Sequence, residues 1–162
     1  MSVGKQLFSS ASAEWLTPPE IVVAVCDMLG QIDLDPCAED AKEVPASQHY
    51  TILDNGLVHP WPGRVYMNPP YGRKIESWVW KLRYEYENSK HTTEAIALVP
   101  ARTDTLWWRL LARYPVCFIA GRLRFSGHVN AAPFPSAVIY LGPNVEKFVA
   151  VFGKLGKCYL PA

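Results

Sequence analysis

The residues best suited to chemistry stand in "NPPY": Asn68, Pro69, Pro70 and Tyr71. The two prolines fix φ and confine the residues before them to extended shapes, so the Asn68 side-chain oxygen and the Pro69 carbonyl can be held pointing the same way. Two acceptors side by side suit an NH2 group. Tyr71 adds a flat face on which a base or another planar group can stack, an interaction worth roughly 1–3 kcal/mol per base. An exocyclic amine on a purine is a poor nucleophile because its lone pair is delocalised into the ring. Two preorganised acceptors on its hydrogens favour the pyramidal, attacking form, which is electrostatic preorganisation and not general-base catalysis. To reach such a pocket from a duplex, the base must leave the stack. The plain alternative is a strand-ending turn with Tyr71 packed on the core, since a proline pair ends strands unaided.

A second tetrad, "DPCA", places Asp35, Pro36, Cys37 and Ala38 at what reads as the end of another strand, Asp35 preceding Asn68 by 33 positions. That separation suffices for one crossover between parallel strands. In open α/β sheets, ligands bind beyond the carboxyl ends of strands at the switch point, so both tetrads can open onto one cleft. Asp-Pro is also a common turn opener, and a simple turn remains the alternative. Cys37 is not read as catalytic, because nothing near it in sequence is placed to lower its pKa.

The elements that must position these tetrads follow from periodicity and punctuation. Residues 18–29 form a helix, with Thr17 and Glu20 as a capping box, Pro18 in the first turn, Gly30 as the stop, and Ile21, Val25, Met28 and Leu29 towards the core. Strands are expected at 32–35, 64–67, 94–100, 116–125 and 136–142, with one brief strand at 50–53 and a last one near 157–161. Helices are expected where Ile75, Trp78, Val79, Leu82 and Tyr86 recur at three-and-four spacing, after Thr103 or Asp104 as cap for Leu106 to Leu111, and after Asn144 as cap for 145–155. Strands alternating with helices call for an α/β sheet with helices on both faces. The tryptophans of the helices, Trp78, Trp80, Trp107 and Trp108, read as packing residues more than as a stacking platform.

The chain has 162 residues, 49% hydrophobic and 19% charged, enough for one core, so a single domain over 1–162 is expected, with the polar residues 1–12 loose. With 16 Lys+Arg against 15 Asp+Glu, net charge argues for no partner, and a nucleic-acid surface has to come from a local patch. The four cysteines and four histidines do not fall at ligand spacing, so no metal is expected. No run of about 18 apolar residues and no charged-then-apolar leader is seen, which makes a reducing interior away from the membrane the expected setting.

Beyond these local readings, the blocks "EWLTPPEI", "IDLDPCAED", "GLVHPWPGRVYMNPPYG", "ALVPARTDTLWW" and "GRLRFSGHVNAAPFPSAVIYLG", in that order from Glu14 to Gly142, resemble the phage-type DNA N-6-adenine methyltransferases. The resemblance implies a Rossmann-like methyltransferase fold and methyl transfer from S-adenosylmethionine to adenine N6 of double-stranded DNA in a bacterial host cytoplasm. Asn68, Pro69, Pro70 and Tyr71 then act as described above. It also implies that Asp35 and the backbone of Pro36, Cys37 and Ala38 line the cofactor's amino-acid and sulfonium end. Trp15, Thr17 and Pro18 close over the cofactor, and Asp54 lies near its adenine. Two departures stand out. The first strand ends without the usual glycine-rich turn, so close approach rests on small residues such as Ala38. No segment of about 100 residues is spare for a separate recognition domain, so DNA must be read by loops. Arg73, Lys74, Arg102, Arg122 and Arg124 can supply phosphate contacts; for Arg122 and Arg124, sharing a strand face, a solvated face is the alternative.

Two other functions fit the same residues: an RNA or protein-glutamine methyltransferase using the same acceptor pair, and a catalytically silent nucleic-acid-binding domain that has lost the cofactor. Fold alone does not choose among them.

Overall fold

The computed structural model describes residues 15–162; the expectation of a loose stretch at 1–12, and Glu14 of the first block, lie outside the described residues. The strand-forming runs pair into one seven-stranded sheet: β1 (Ile32–Asp35), β2 (Ala46–His49), β3 (Gly63–Met67), β4 (Thr92–Pro100), β5 (Val116–Ile119), β6 (Ser136–Leu141) and β7 (Gly156–Tyr159). Their order across the sheet is β2-β1-β3-β4-β6-β5-β7. β1 to β4 are mutually parallel, β6 runs against β4 and β5, and β7 runs against β5. This is the mixed α/β, Rossmann-like sheet expected for a methyltransferase. The chain leaves β1 in one direction to form β2 and returns on its other side as β3, so the switch point lies between β1 and β3.

Among the described residues, four α-helices cover the sheet: α1 (Pro19–Leu29), α2 (Ile75–Arg83), α3 (Leu106–Leu111) and α4 (Val145–Phe152). Helices α1 and α4 close one face through Ile21, Val25, Met28, Phe148 and Phe152, which pack with Tyr66, Ile96, Leu98 and Tyr140. On the other face, α2 and α3 bring Trp78, Val79, Leu82, Trp107 and Trp108 onto Val65, Met67, Ala97 and Ile139. The central strands β4 and β6 are buried on both faces over most of their length, which is why 95–100 and 137–141 read as unbroken apolar runs. Trp80, by contrast, faces solvent.

Several expectations need correction, each for a physical reason. The brief strand is Ala46–His49 and not 50–53: its side chains are half-buried or exposed, and its place comes from ladder hydrogen bonds to β1. The apolar pair that suggested 50–53, Ile52 and Leu53, is 89% and 91% exposed in a turn. β5 ends at Ile119, where Gly121 (φ +70) turns the chain out of the sheet, so Arg122 and Arg124 are not on a strand. Helix α3 is capped by Thr105, which accepts from the Trp108 N–H at 3.3 Å, and not by Thr103 or Asp104. Asn144 does not cap α4 with its side chain but donates to Glu94 at 3.0 Å, and α4 ends at Phe152, not 155. Thr17 forms no capping box; its hydroxyl is turned inward. Helix α2 ends at Arg83 and continues as a π-helical turn, Tyr84–Asn88, under which buried Glu85 meets Lys81, His91 and Ser89.

Among the described residues no helix is long and apolar enough to cross a membrane.

Candidate active site

Because β1, β3, β4 and β5 run the same way, the segments that leave them gather at one edge of the sheet. Those segments are "DPCA", "NPPY", residues 101–105 and the long connection 120–135. The last crosses back over the N-terminal strap: the Ser126 N–H donates to the Leu16 carbonyl at 3.0 Å, and Leu16 and Ser126 form an isolated antiparallel bridge. Two concave surfaces among the described residues lie there: Asn68 lines the first, and Tyr71, three positions on, lines the second.

The first is a narrow cleft at the switch point, lined by Trp15, Thr17, Asp35, Cys37, Glu39, Glu43, Asn68, Pro69 and Pro70. Asp35 is only 3% exposed. Burial pushes its carboxyl up to about 7 against the pull of the Cys37 N–H, which donates to it at 3.2 Å, and the nearby Glu43 and Glu39 push the same way. Burial likewise raises the Cys37 thiol well above its usual range, which keeps it protonated and inert. Glu43 accepts from the Thr17 N–H through one oxygen, at 3.3 Å, while its other oxygen is buried without a hydrogen bond.

The "DPCA" turn is shaped without its own glycine. Ala38 donates to Tyr50 at 2.9 Å, and the Pro36 carbonyl packs on Gly56, where a Cβ would stand 2.1 Å from that oxygen and 3.3 Å from the Trp78 ring. Gly56 thus provides the close approach that the turn itself lacks. Gly56→Ala is expected to push the turn out of place and destabilise the protein by about 1–3 kcal/mol, as overpacking does. A thermal melt checks this; an unchanged melting temperature would show that the turn has room to shift.

Asn68 follows β3 directly. Its Nδ2 donates to the Trp15 carbonyl at 2.5 Å and to Thr17 Oγ1 at 3.2 Å, and Thr17 Oγ1 is in turn 2.8 Å from the Tyr66 hydroxyl. Asn68 Oδ1 is buried and has no hydrogen-bond partner. A carbonyl oxygen can only accept, so the NH2 must face Trp15 and the side-chain oxygen must be the free end.

The second surface is an open groove of about 420 Å³ lined by Tyr71, Gly72, Arg73, Ile75, Pro100, Arg102, Thr105, Trp107 and Phe134. Tyr71 is half-buried between the two cores, its ring edge-on to Phe134 at 5.4 Å and to Phe125 at 6.2 Å, and nearly parallel to Trp15 at 6.5 Å. Trp15 also stacks on His128 at 4.3 Å. Tyr71 is therefore part of an aromatic cluster as well as one wall of the groove.

The structure brings together Trp15, Thr17, Asp35, Cys37 and the Asn68 to Pro70 segment in the cleft, and Tyr71, Arg73 and Arg102 in the groove. Pro18 is buried at the start of α1, and Pro36 and Ala38 are buried in the turn beneath the cleft. Lys74 is exposed at the N-terminus of α2. Arg102 pairs with Asp104 at 3.3 Å on the surface. Arg122 donates weakly to the Ala132 carbonyl at 3.5 Å, and Arg124 is exposed. Between them Leu123 and Phe125 are buried, so the two arginines still share the outer side although no strand holds them there. Asp54 is exposed; it accepts from the Thr51 N–H at 2.8 Å to close a turn, and it is not among the residues lining the cleft. Glu39, Glu43, Gly56 and Phe134 were not singled out in the sequence, and Trp107, read there as a packing residue, also lines the groove. The spacing of Asp35, Glu39 and Glu43, each four apart, is the one signal that could have pointed to them.

A family model described as DNA N-6-adenine-methyltransferase (Dam) matches residues 5–136. Among solved structures, a dimethyladenosine transferase from Plasmodium falciparum is similar, at 14% identity and a TM-score of 0.48, over 84% of this chain and 65% of that one. This chain therefore spans less than two thirds of that structure's length. No curated protein matches the chain in sequence.

Proposed function

This chain belongs to the DNA N-6-adenine-methyltransferase family, and from that premise we propose that it transfers a methyl group from S-adenosylmethionine to N6 of an adenine in duplex DNA. The base leaves the stack to react, and phage or prophage DNA is the setting. The observation that carries this reading is Asn68 Oδ1, a buried acceptor with no hydrogen-bond partner, on a residue that lines the acidic cleft three positions before Tyr71 of the aromatic groove. A buried acceptor left open costs free energy unless a ligand satisfies it.

The cleft residues fit the cofactor. Asp35 and the unpartnered oxygen of Glu43 place carboxylates where no cation among the described residues answers them, and S-adenosylmethionine carries a sulfonium and an α-ammonium group. When bound, it supplies an electrophilic methyl group. Asp35 and Glu43 attract that end, the backbone of Pro36 to Ala38 lines it, and Trp15, Thr17 and Pro18 close over it.

On the other side, Tyr71 and Phe134 present aromatic surface to the flipped adenine, while Asn68 Oδ1 and the Pro69 carbonyl accept from its amine. Both acceptors favour the pyramidal nitrogen, which becomes positively charged as it attacks, so they bind the transition state more tightly than the planar ground state. Asn68 takes no proton in this scheme; the excess proton leaves for solvent after transfer. Arg73, Lys74, Arg102, Arg122 and Arg124 hold phosphates near the groove and fix the register of the duplex, and the loops that carry them read the sequence.

The test is incubation with tritiated S-adenosylmethionine and unmethylated duplex DNA, followed by digestion to nucleosides. Label is expected in N6-methyl-2′-deoxyadenosine. No label in DNA, with label in RNA or in protein glutamine when either is supplied in its place, would overturn the substrate, and no saturable cofactor binding by calorimetry would overturn the activity.

A further inference from the structure

All four cysteines are free thiols, and nothing in their spacing pairs them. The sheet pairs two. β5 and β7 run antiparallel with Cys117 directly opposite Cys158, whereas Cys26 on α1 and Cys37 in the turn after β1 stand outside the sheet. Residues paired in this way lie about 4.5–5.5 Å apart at Cα, with side chains on one face. A disulfide spans about 4.4–6.8 Å at Cα, so the backbone is already set for one. We propose that Cys117 and Cys158 form a dithiol that closes to an intramolecular disulfide by exchange with a small-molecule disulfide, a modification site outside the residues that line the cleft and the groove.

The two thiols have unequal surroundings. Cys117 is 0% exposed and donates to the Phe152 carbonyl at 3.3 Å, while Cys158 is half-buried. Burial first, and Cys158 beside it second, push the Cys117 thiol up, so Cys117 is not the group that reacts first. The Cys158 thiolate attacks one sulfur of the small disulfide, forms a mixed disulfide and expels the first thiol. Cys117 then gives up its proton, attacks the Cys158 sulfur and expels the second. The two cysteines lose two electrons and two protons, and the small disulfide takes up both as two thiols. β7 helps the bond to form because it has four residues and pairs in the sheet with β5 alone, which leaves it free to draw inward. Once closed, the bond fastens that edge strand and makes a loop of 118–157, which holds the connection 120–135, β6 and α4.

The test treats the full-length, folded protein with glutathione disulfide, blocks the remaining thiols with iodoacetamide and digests with trypsin. The peptides 114–122, with Cys117, and 158–162, with Cys158, are expected to be joined, and the peptide 6–42, with Cys26 and Cys37, to be joined to neither. The melting temperature is expected to rise by on the order of 5–10 °C, since closing a loop of this length restricts the unfolded chain, and to fall back with dithiothreitol. Cys158→Ser is expected to show neither the joined peptides nor the shift. A glutathione adduct that stays on Cys158 without closing would overturn the proposal, as would a bond from either cysteine to 6–42, or joined peptides that form only after the protein has been unfolded. Cofactor and DNA are absent from every measurement, so failure of the proposed methyl transfer would leave this result unchanged.

Discussion

Asn68→Ala is expected to cut methyl transfer to adenine by on the order of 10²-fold or more while S-adenosylmethionine binding stays near its wild-type value. The size follows from removing one preorganised group that meets developing charge, as with loss of an oxyanion-hole donor. The partition follows from the geometry. Asn68 Oδ1 is the open acceptor, whereas the charged groups of the cleft are Asp35, Glu39 and Glu43. Single-turnover rates with cofactor at saturation, beside calorimetric titrations, check both halves. An Asn68→Ala protein that keeps most of its single-turnover rate would show that the amine is activated by something other than this acceptor.

Cofactor affinity is expected to fall about tenfold for each pH unit below about 7, and Asp35→Asn is expected to flatten that slope while weakening binding at pH 8. Burial is the main cause that holds the Asp35 carboxyl at about 7, so below that pH the ligand-free protein carries it protonated. A cationic ligand favours the carboxylate, so binding must release a proton there, and one proton per ligand gives a tenfold change per unit. Calorimetry in buffers of different ionisation enthalpy counts that proton directly.

The sign for stability is opposite to that of an ordinary salt-bridged aspartate. The folded-state carboxyl titrates above its ordinary value of 3.8, so the fold favours the neutral acid. That contribution is fully present below about 4 and is lost as pH rises towards about 7, at no more than about 1.4 kcal/mol per pH unit. The ligand-free protein is therefore expected to gain stability at pH 8 from Asp35→Asn, even as it loses cofactor. If the variant instead melts lower at pH 8, the carboxylate has a partner in the fold that outweighs its desolvation.

Strands β1, β3, β4 and β6 were legible because each carries apolar, strand-forming residues and is cut off by proline, asparagine or glycine. Helix α1 was legible from its 3.6-residue stripe even though its expected cap was wrong. What failed has a common cause. β2 is an edge strand with little buried side-chain surface, so it has no hydrophobic pattern to read, while the exposed Ile52 and Leu53 imitate one. Residues 122–125 keep a strand's alternation of buried and exposed side chains without pairing in the sheet, because Leu123 and Phe125 are anchored in the core from a loop. Thr17, Thr105 and Asn144 show that a side chain able to cap a helix goes wherever its best buried or local partner lies, and that partner is set by tertiary packing.

The sequence by itself determined the rigid "NPPY" and "DPCA" corners and their places at strand ends, because proline geometry and strand termination are local properties of the chain. It also determined the alternation of strands and helices that makes an α/β sheet, since periodicity survives whatever the strands pair with. Only the tertiary structure decided which way the Asn68 amide faces, because that depends on a main-chain carbonyl 53 residues away. It alone joined Asp35 to Glu43, set Gly56 under the Pro36 carbonyl, and placed Phe134 and Tyr71 on one wall, since each of these contacts exists only once distant segments have been folded against the same edge of the sheet.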